Sequence, residues 1–365
     1  MDRENALDRA RKEINEADAE IARLFEKRMN AVRSVALYKK ERGLPVTDES
    51  REQAVIERGA ALIQTPEYRP YYVNFQKSCM EVSKSFQHRL LDGARVAYGG
   101  AEGAFADTVA RRIFPDAATV AYPDFAGAYS AVEEGECDYA LLPLENSFAG
   151  DVGQAMDLAF FGGLHINAVY DVKIVQDLLA KKGTELYDIT TVISHPQALA
   201  QCSDFIKKHG FTTVEAASTA SAAKLVSSDP RRDIAAIAGA EAGRRYGLST
   251  LAGHINESDI NTTKFAVFSQ AAAHEAGENG RFILFFTVGN SAGALSRAVS
   301  CIGENGFNLI ALKSRPTKSL IWDYYFFAEG EGDISSERGR SMLEQLSLCC
   351  NSVRVAGVFP REKEI

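Results

Sequence analysis

The first forty residues repeat every seven positions, which restricts the start of this chain to a long helix with one packing face. Positions 7, 14, 21, 28 and 35 hold Leu7, Ile14, Ile21, Arg28 and Val35. Positions 11, 18, 25, 32 and 39 hold Arg11, Asp18, Phe25, Val32 and Lys39. Both series lie on one side of a helix, because steps of three and four residues return to the same face. Cations on a stripe that must pack are tolerable only where an anion answers them. A polyanionic small molecule held inside a helical assembly is therefore the first expectation. At about 1.5 Å per residue, Arg11 and Lys39 lie about 42 Å apart, too far to share one small ligand. Arg28 and Lys39 are only about 16 Å apart and can reach one pocket through their long side chains. Arg11 is thus expected to serve a pocket completed by another copy of the chain, which implies a helical dimer. The competing reading is a solvated helix whose basic residues decorate its surface.

A chain of 365 residues is expected to form two or three domains. Its apolar (46%) and charged (25%) fractions are those of an ordinary folded protein. A net charge of −8 argues against a nucleic-acid binder, which needs a basic face. The first 92 residues are close to neutral, with 17 Lys and Arg against 16 Asp and Glu. No apolar run approaches the ~20 residues that span a bilayer, so no membrane association is expected. The start Met1-Asp2-Arg3-Glu4-Asn5 lacks the apolar stretch of a secretory signal. Cys79, Cys137, Cys202, Cys301, Cys349 and Cys350 show no paired metal-ligand spacing and read as reduced thiols in a cytoplasm. Neither a metal nor a cofactor is expected.

Three textures follow one another. Residues 1–90 are helical by period, broken at Gly43-Leu44-Pro45, with helix-start chemistry at Thr47-Asp48-Glu49-Ser50 and a third helix from about Pro70 to Leu90. From Ala94, β-rich runs alternate with helices: 95–98, 119–121, 139–142, 166–172, 190–194, 213–215, 235–238 and 265–269. That alternation predicts an α/β sheet with crossover helices, with Gly210, Pro230 and Gly247 at turns. Residues 270–280 are small and polar and read as a linker. Beyond it, strands at 282–288, 308–313, 324–328 and 353–358 and helices at 294–305 and 337–349 give the βαββαβ order of a ferredoxin-like arrangement.

Residues 1–90 resemble the all-helical chorismate mutases of the intertwined-dimer type, through Arg11, Arg28, Lys39, Asp48, Arg51, Glu52, Ser83 and Gln87. The resemblance implies that Arg11 comes from the partner subunit. Chorismate is a dicarboxylate, and its rearrangement to prephenate needs a held conformer and charge stabilisation at the breaking ether rather than an acid, base or nucleophile. Arg11 and Arg28 suit carboxylate capture, Lys39 and Gln87 suit the ether oxygen, and Glu52 suits the substrate hydroxyl. Ser83 and Gln87 share a helical face.

Residues 94–270 resemble prephenate dehydratase, a two-lobed α/β fold similar to periplasmic ligand-binding domains. The motifs are Tyr98-Gly99-Gly100-Ala101-Glu102-Gly103-Ala104-Phe105, Pro143-Leu144-Glu145-Asn146-Ser147, Ser194-His195-Pro196-Gln197, Ser218-Thr219-Ala220 and Asn261-Thr262-Thr263-Lys264-Phe265. Prephenate would become phenylpyruvate, with Thr263 at the leaving hydroxyl and Glu145, Asn146, Ser147, Gln197 and Lys264 forming the pocket. Asn146 and Ser147 also read as turn caps, and His195-Pro196 as a rigid turn. The chain departs from the family pattern at Lys264, where arginine is usual, at Glu257 for aspartate, at Ala101 and Ala104, and at Gln176, where histidine is common.

Residues 281–360 resemble the ACT regulatory domain fused to such dehydratases, through Gly293-Ala294-Leu295-Ser296, Lys313-Ser314-Arg315-Pro316-Thr317 and the aromatic strand 322–327. That implies phenylalanine as effector, bound between paired domains near Asn290, Gly293, Ala294, Leu295, Ser314, Arg315 and Pro316. Lys313 replaces the usual glutamate. The expected domains are 1–92, 93–272 and 281–362, in a homodimer or larger homo-oligomer acting on chorismate and prephenate. Two alternatives are a mutase whose dehydratase-like lobes are catalytically weak or only sense a ligand, and a transcription regulator. The latter would need a helix-turn-helix and a basic reading face.

Overall fold

The computed structural model describes residues 6–258, 260–272, 280–317, 323–361 and 363–364. Met1–Asn5, most of the expected linker and Trp322 of the aromatic strand lie outside them. The chain divides into two compact units, Met1–Ala94 and Arg95–Ile365.

The first unit is helical: α1 (Ala6–Arg42), α2 (Glu49–Leu62) and α3 (Arg69–Asp92). The heptad stretch is one continuous helix of 37 residues, about 55 Å long. It stops at Gly43, whose φ of +62° suits glycine. Asp48 starts α2 by accepting the Arg51 N–H at 3.0 Å, and Pro70 stands in the first turn of α3, where its missing N–H costs nothing. The expected seam is covered only in part. Val32 and Lys39 are half-buried, but Leu7, Ile14, Ile21 and Phe25 are 51, 58, 47 and 42% exposed. Length accounts for part of this, since α3 has 24 residues against 37 in α1, while Ile21 and Phe25 lie beside α3 in an open groove with Phe75, Cys79 and Val82.

The second unit runs β1 (Arg95–Gly99), α4 (Phe105–Ile113), β2 (Ala118–Tyr122), α5 (Phe125–Glu133), β3 (Tyr139–Asn146), β4 (Gly150–Asp151), α6 (Gly153–Phe161) and β5 (His165–Lys173). The chain then crosses into a second sheet through β6 (Asp177–Lys181), β7 (Thr191–Ser194), α7 (Pro196–Gln201), α8 (Ser203–His209), β8 (Thr212–Glu215), α9 (Thr219–Ser228), β9 (Ile234–Ala238), α10 (Ala240–Tyr246) and β10 (Leu248–Ala252). It returns to the first sheet as β11 (Thr262–Ser269). Two crossings between two sheets make the two lobes. The second sheet has the order β10-β6-β9-β7-β8. Its central strand β9, Ile-Ala-Ala-Ile-Ala, is buried along its whole length, as a strand covered on both faces must be.

The last module is β12 (Gly280–Thr287), α11 (Ala294–Glu304), β13 (Asn308–Pro316), β14 (Tyr324–Glu331), α12 (Glu337–Cys349) and β15 (Ser352–Pro360), followed by β16 (Lys363–Glu364). The antiparallel order β13-β14-β12-β15 is that of the expected βαββαβ arrangement. The module is not tethered by the linker alone. β15 joins β5 at Gly357 and Ile166, so its sheet continues into the first lobe, and Ile283, Phe285, Tyr325, Phe327 and Phe359 share a core with Tyr129, Leu142, Ile166 and Phe268. Gly357 permits the join, because a Cβ there would lie 2.3 Å from the Ile166 carbonyl oxygen.

Strands β4, β6 and β10 were not expected from sequence. β6 is apolar and buried, so it offers no alternation to read.

Packing at α12 yields a stability prediction. A Cβ on Gly339 would stand 2.1 Å from the Ile334 carbonyl oxygen, which is backbone and cannot rotate away. Gly339→Ala should therefore cost about 1–3 kcal/mol. Thermal denaturation followed by circular dichroism should show a midpoint lowered by several degrees; an unchanged midpoint would refute the packing.

Candidate active sites

In the helical unit, a cavity of about 300 Å³ forms where α1, α2 and α3 meet. It is lined by Arg28, Lys39, Asp48, Arg51, Glu52, Ser83 and Gln87, all expected from the heptad face and the motif, over a floor of Val32, Val35, Val55 and Met80. Arg28 is held to α3 by donating to the Cys79 carbonyl at 3.0 Å and to the Ser83 hydroxyl. The Lys39 ammonium donates to the Val46 carbonyl at 2.6 Å. Gln87 is 7% exposed; its amide nitrogen donates to the Ser83 carbonyl at 3.2 Å, while Oε1 is buried without a partner. The Arg51 N–H and then the Ser50 hydroxyl hold the Asp48 carboxyl below the usual carboxylate range. It therefore stays ionised and keeps capping α2.

Sequence reading missed Lys84. It lines the same cavity and pairs with Glu81 at 2.7 Å and Glu52 at 3.3 Å, and these bonds raise its ammonium above the ordinary lysine value. Its position three residues before Gln87 was the available signal. Four cationic side chains thus face two carboxylates. Arg11 is not at this cavity: it is 67% exposed, and its ion pair at 3.9 Å is with Asp8 of its own helix.

The second cavity, about 380 Å³, lies in the cleft between the two lobes. Asn146, Gln197 and Thr263 line it, together with Phe105, Phe125, Ile174, Gln176, His195, Gln201, Ser218 and Thr219. A hydrogen-bond chain crosses the cleft. The Gln197 amide nitrogen, in the second lobe, donates to Asn146 Oδ1 at 3.2 Å, and Asn146 Nδ2 donates to Thr263 Oγ1 at 2.9 Å. Asn146 Oδ1 also accepts the N–H groups of Phe148 (3.1 Å) and Ala149 (2.9 Å), so the turn-cap and cavity readings both hold. The same is true of His195: it lines the cavity while Nδ1 accepts the Gln197 N–H at 3.2 Å and caps α7. Because Thr263 Oγ1 accepts from Asn146, its own hydrogen is available to a group in the cleft. Among the described residues lining this cavity there is no Lys, Arg, Asp or Glu. The starts of α4 and α9 border the cleft with backbone N–H groups, α4 without a side-chain cap, whereas the Asp124 carboxylate already caps the start of α5. Gln176 is 2% exposed with an unpartnered Oε1, and Phe125, Ile174 and Gln201 had no motif to announce them.

Three expected pocket residues are placed elsewhere. Successive residues of a strand point to opposite faces. With Asn146 and Thr263 facing the cleft, Glu145 and Lys264 face away; Glu145 pairs with Lys313 at 2.9 Å and Lys264 with Glu329 at 3.1 Å. Ser147 is exposed and clasps the returning segment, donating to the Ile260 carbonyl and accepting the Thr262 N–H, each at 3.0 Å.

In the last module, Gly293 has φ +78° and precedes α11, with Asn290 exposed before it, Ala294 buried and Leu295 half-buried. Ser314 and Pro316 are exposed on the edge strand β13. Arg315 departs from expectation: its guanidinium forks onto Asp157 of α6 at 2.8 and 3.1 Å, where Tyr325 also donates at 2.7 Å. It braces the first lobe instead of facing an open effector site.

The chorismate mutase type II family matches residues 10–88 and the prephenate dehydratase family residues 96–273. A bifunctional chorismate mutase/prephenate dehydratase from Neisseria gonorrhoeae is 31% identical over 355 residues, covering 96% of both chains. The chain belongs to this bifunctional family. It carries a chorismate mutase domain in its helical unit and a prephenate dehydratase domain in the two lobes. Among solved structures, a prephenate dehydratase from Arthrobacter aurescens in complex with L-Phe is 27% identical with a TM-score of 0.69, over 73% of this chain and 90% of the other. A protein described as GqqA, a quorum-quenching acylase, is 29% identical with the same TM-score, over 73% and 97% of the two chains. No described helix of this chain is long and apolar enough to cross a membrane.

Proposed function

We propose that this chain performs two consecutive steps of phenylalanine biosynthesis: chorismate to prephenate in the helical unit, and prephenate to phenylpyruvate, carbon dioxide and water in the cleft. The carrying observation is that each unit holds its own cavity, and each lining suits one step.

In the helical cavity Arg28 grips a carboxylate, Lys39 and Gln87 donate toward the ether oxygen as its bond breaks, and Glu52 receives the ring hydroxyl. Asp48 and Arg51 frame the mouth. Excess positive charge in a partly buried site favours the dianion and the negative charge building on oxygen. Arg11 serves the pocket of a partner subunit, and the exposed apolar groove lined by Ile21, Leu24, Phe25, Phe75, Cys79 and Val82 supports a homodimer, since its own unit leaves it uncovered.

In the cleft the bond to the ring carboxylate breaks to release carbon dioxide, its electron pair enters the ring, and the hydroxyl leaves the opposite ring carbon as hydroxide, which takes up a solvent proton to become water. Thr263 donates its hydrogen bond to that departing oxygen, and Asn146 and Gln197 hold Thr263 in place. The starts of α4 and α9 receive the carboxylates.

The domains run 1–92, 93–272 and 281–362, the last an ACT domain through which phenylalanine inhibits. Gly293-Ala294-Leu295 offers the start of α11 to the effector carboxylate, while the exposed Asn290, Ser314 and Pro316 lie where a second ACT domain would complete the site. The free cysteines fit a cytoplasmic enzyme. A dehydratase weakened by Lys264 is the second reading, although Lys264 faces away from the cavity.

The test supplies chorismate to the purified chain and separates the products, with and without phenylalanine. Phenylpyruvate should form and should fall when phenylalanine is added. Prephenate as the sole product would leave only the mutase.

A further inference from the structure

Three residues lining the cleft each have a charged neighbour in sequence that faces the other way. They are Asn146 beside Glu145, Val152 beside Asp151, and Thr263 beside Lys264. All three charged neighbours are bound by the C-terminal module. Lys313 of β13 reaches Glu145 Oε2 at 2.9 Å and Asp151 Oδ1 at 2.5 Å. Glu329 of β14 reaches Lys264 at 3.1 Å and is itself held by Arg281 of β12 at 3.2 Å. The pairings are in register: Asn146 lies opposite Thr263 and Glu145 opposite Lys264 across β3 and β11, while Asp151 lies opposite Glu145 across β4 and β3.

The network is secluded on the side of the C-terminal module and more open on the other, where Lys264, Glu145 and Asp151 side chains are 22, 34 and 37% exposed. Glu329, Arg281 and Lys313 side chains are 4, 9 and 15% exposed. The Glu329 pairs are secluded enough to escape the screening of surface pairs, and removing the charge of Lys313 would leave Glu145 and Asp151 side by side without their cation. Lys313 stands where the resembled motif has glutamate. A glutamate here would face Glu145 and Asp151 as a third carboxylate, so the positive charge at 313 is matched to this chain's own surroundings.

We infer that Lys313 and Glu329 are positioning residues for dehydration: they fix the ends of β3, β4 and β11 from behind and so set the geometry of Asn146 and Thr263 in the cleft. The inference rests on the dehydratase reading of that cleft. A misplacement of about 1 Å at a reacting group is enough to cost about 100-fold in rate, and neither residue needs to touch substrate to cause it.

The experiment is a double-mutant cycle on the full chain with Lys313→Met, Glu145→Gln and both together, beside the conservative Lys313→Arg. Prephenate kinetics, thermal unfolding and hydrogen exchange of residues 144–148 and 262–265 are measured for each. Lys313→Met should lower kcat for prephenate about 10- to 100-fold while KM stays within about threefold, because the loss is of alignment rather than of binding. Lys313→Arg should stay within about threefold of the starting chain. The double variant should be no worse than the worse single one, since the two act as a pair. Exchange at the two segments should rise about tenfold in Lys313→Met. Where Lys313→Met fails to fold, Glu329→Gln against Lys264→Met gives the same cycle on the second pair. Normal kcat in Lys313→Met, strictly additive losses in the cycle, or unchanged exchange would each overturn the inference. A starting chain inactive on prephenate would sink the dehydratase reading instead, and the exchange comparison would still decide whether Lys313 fixes these strands.

Discussion

Arg28→Ala should lower kcat/KM on chorismate by about 1000-fold, about 4 kcal/mol of transition-state stabilisation, while leaving turnover of added prephenate unchanged. The expectation follows from where the guanidinium is held. It is fixed to α3 through the Cys79 carbonyl and the Ser83 hydroxyl, so its fork is aimed into the helical cavity before any ligand arrives. A donor set in advance contributes most where charge develops, because nothing has to reorganise during the reaction. Lys39→Ala should lose a similar amount, mainly in kcat, as its charge is wanted most when the ether bond breaks. Arg28→Lys should recover little, since an ammonium cannot reproduce a planar fork. Steady-state kinetics on both substrates, with circular dichroism as a check on folding, decide the matter. Near-normal chorismate turnover in both alanine variants would remove the cavity's assignment.

The second large effect belongs to Thr263. Thr263→Val keeps the shape of the side chain and deletes the hydroxyl that Asn146 orients at 2.9 Å. Turnover of prephenate should fall about 100- to 1000-fold, within the range associated with losing a positioned proton donor. Thr263→Ser should retain a rate within about tenfold of the starting chain. The variant should still fold, because Asn146 Nδ2 keeps Asn261 at 2.9 Å and the Thr262 carbonyl at 3.2 Å as acceptors. Equal rates for the valine and threonine chains would show that the hydroxyl has no part in the step.

The helical site was largely legible because one periodicity governs it. Residues at steps of three, four and seven share a face, which pairs Arg28 with Lys39 on one helix and Ser83 with Gln87 on another, and the resemblance to chorismate mutases joined the two pairs. Lys84 escaped although it stands three residues before Gln87, because no motif names it and its partner Glu52 is on another helix. The cleft was harder for a geometric reason. A contiguous motif in a strand mixes two faces, so Glu145-Asn146 and Thr263-Lys264 each read as one functional pair although one member of each turns to the C-terminal module. Arg315 was misjudged similarly, since nothing near it in sequence announces Asp157. The continuation of the last sheet into the first lobe at Gly357 had no sequence signal beyond a glycine in a strand.

One chain with two separate sites should be separable by a single substitution. The most direct measurement is a product analysis of Thr263→Val supplied with chorismate alone, followed until the substrate is spent. Prephenate should accumulate one for one with chorismate consumed, with phenylpyruvate appearing only at the slow residual rate. Undiminished phenylpyruvate, or chorismate left unconsumed by this variant, would contradict the division of labour between the helical unit and the cleft.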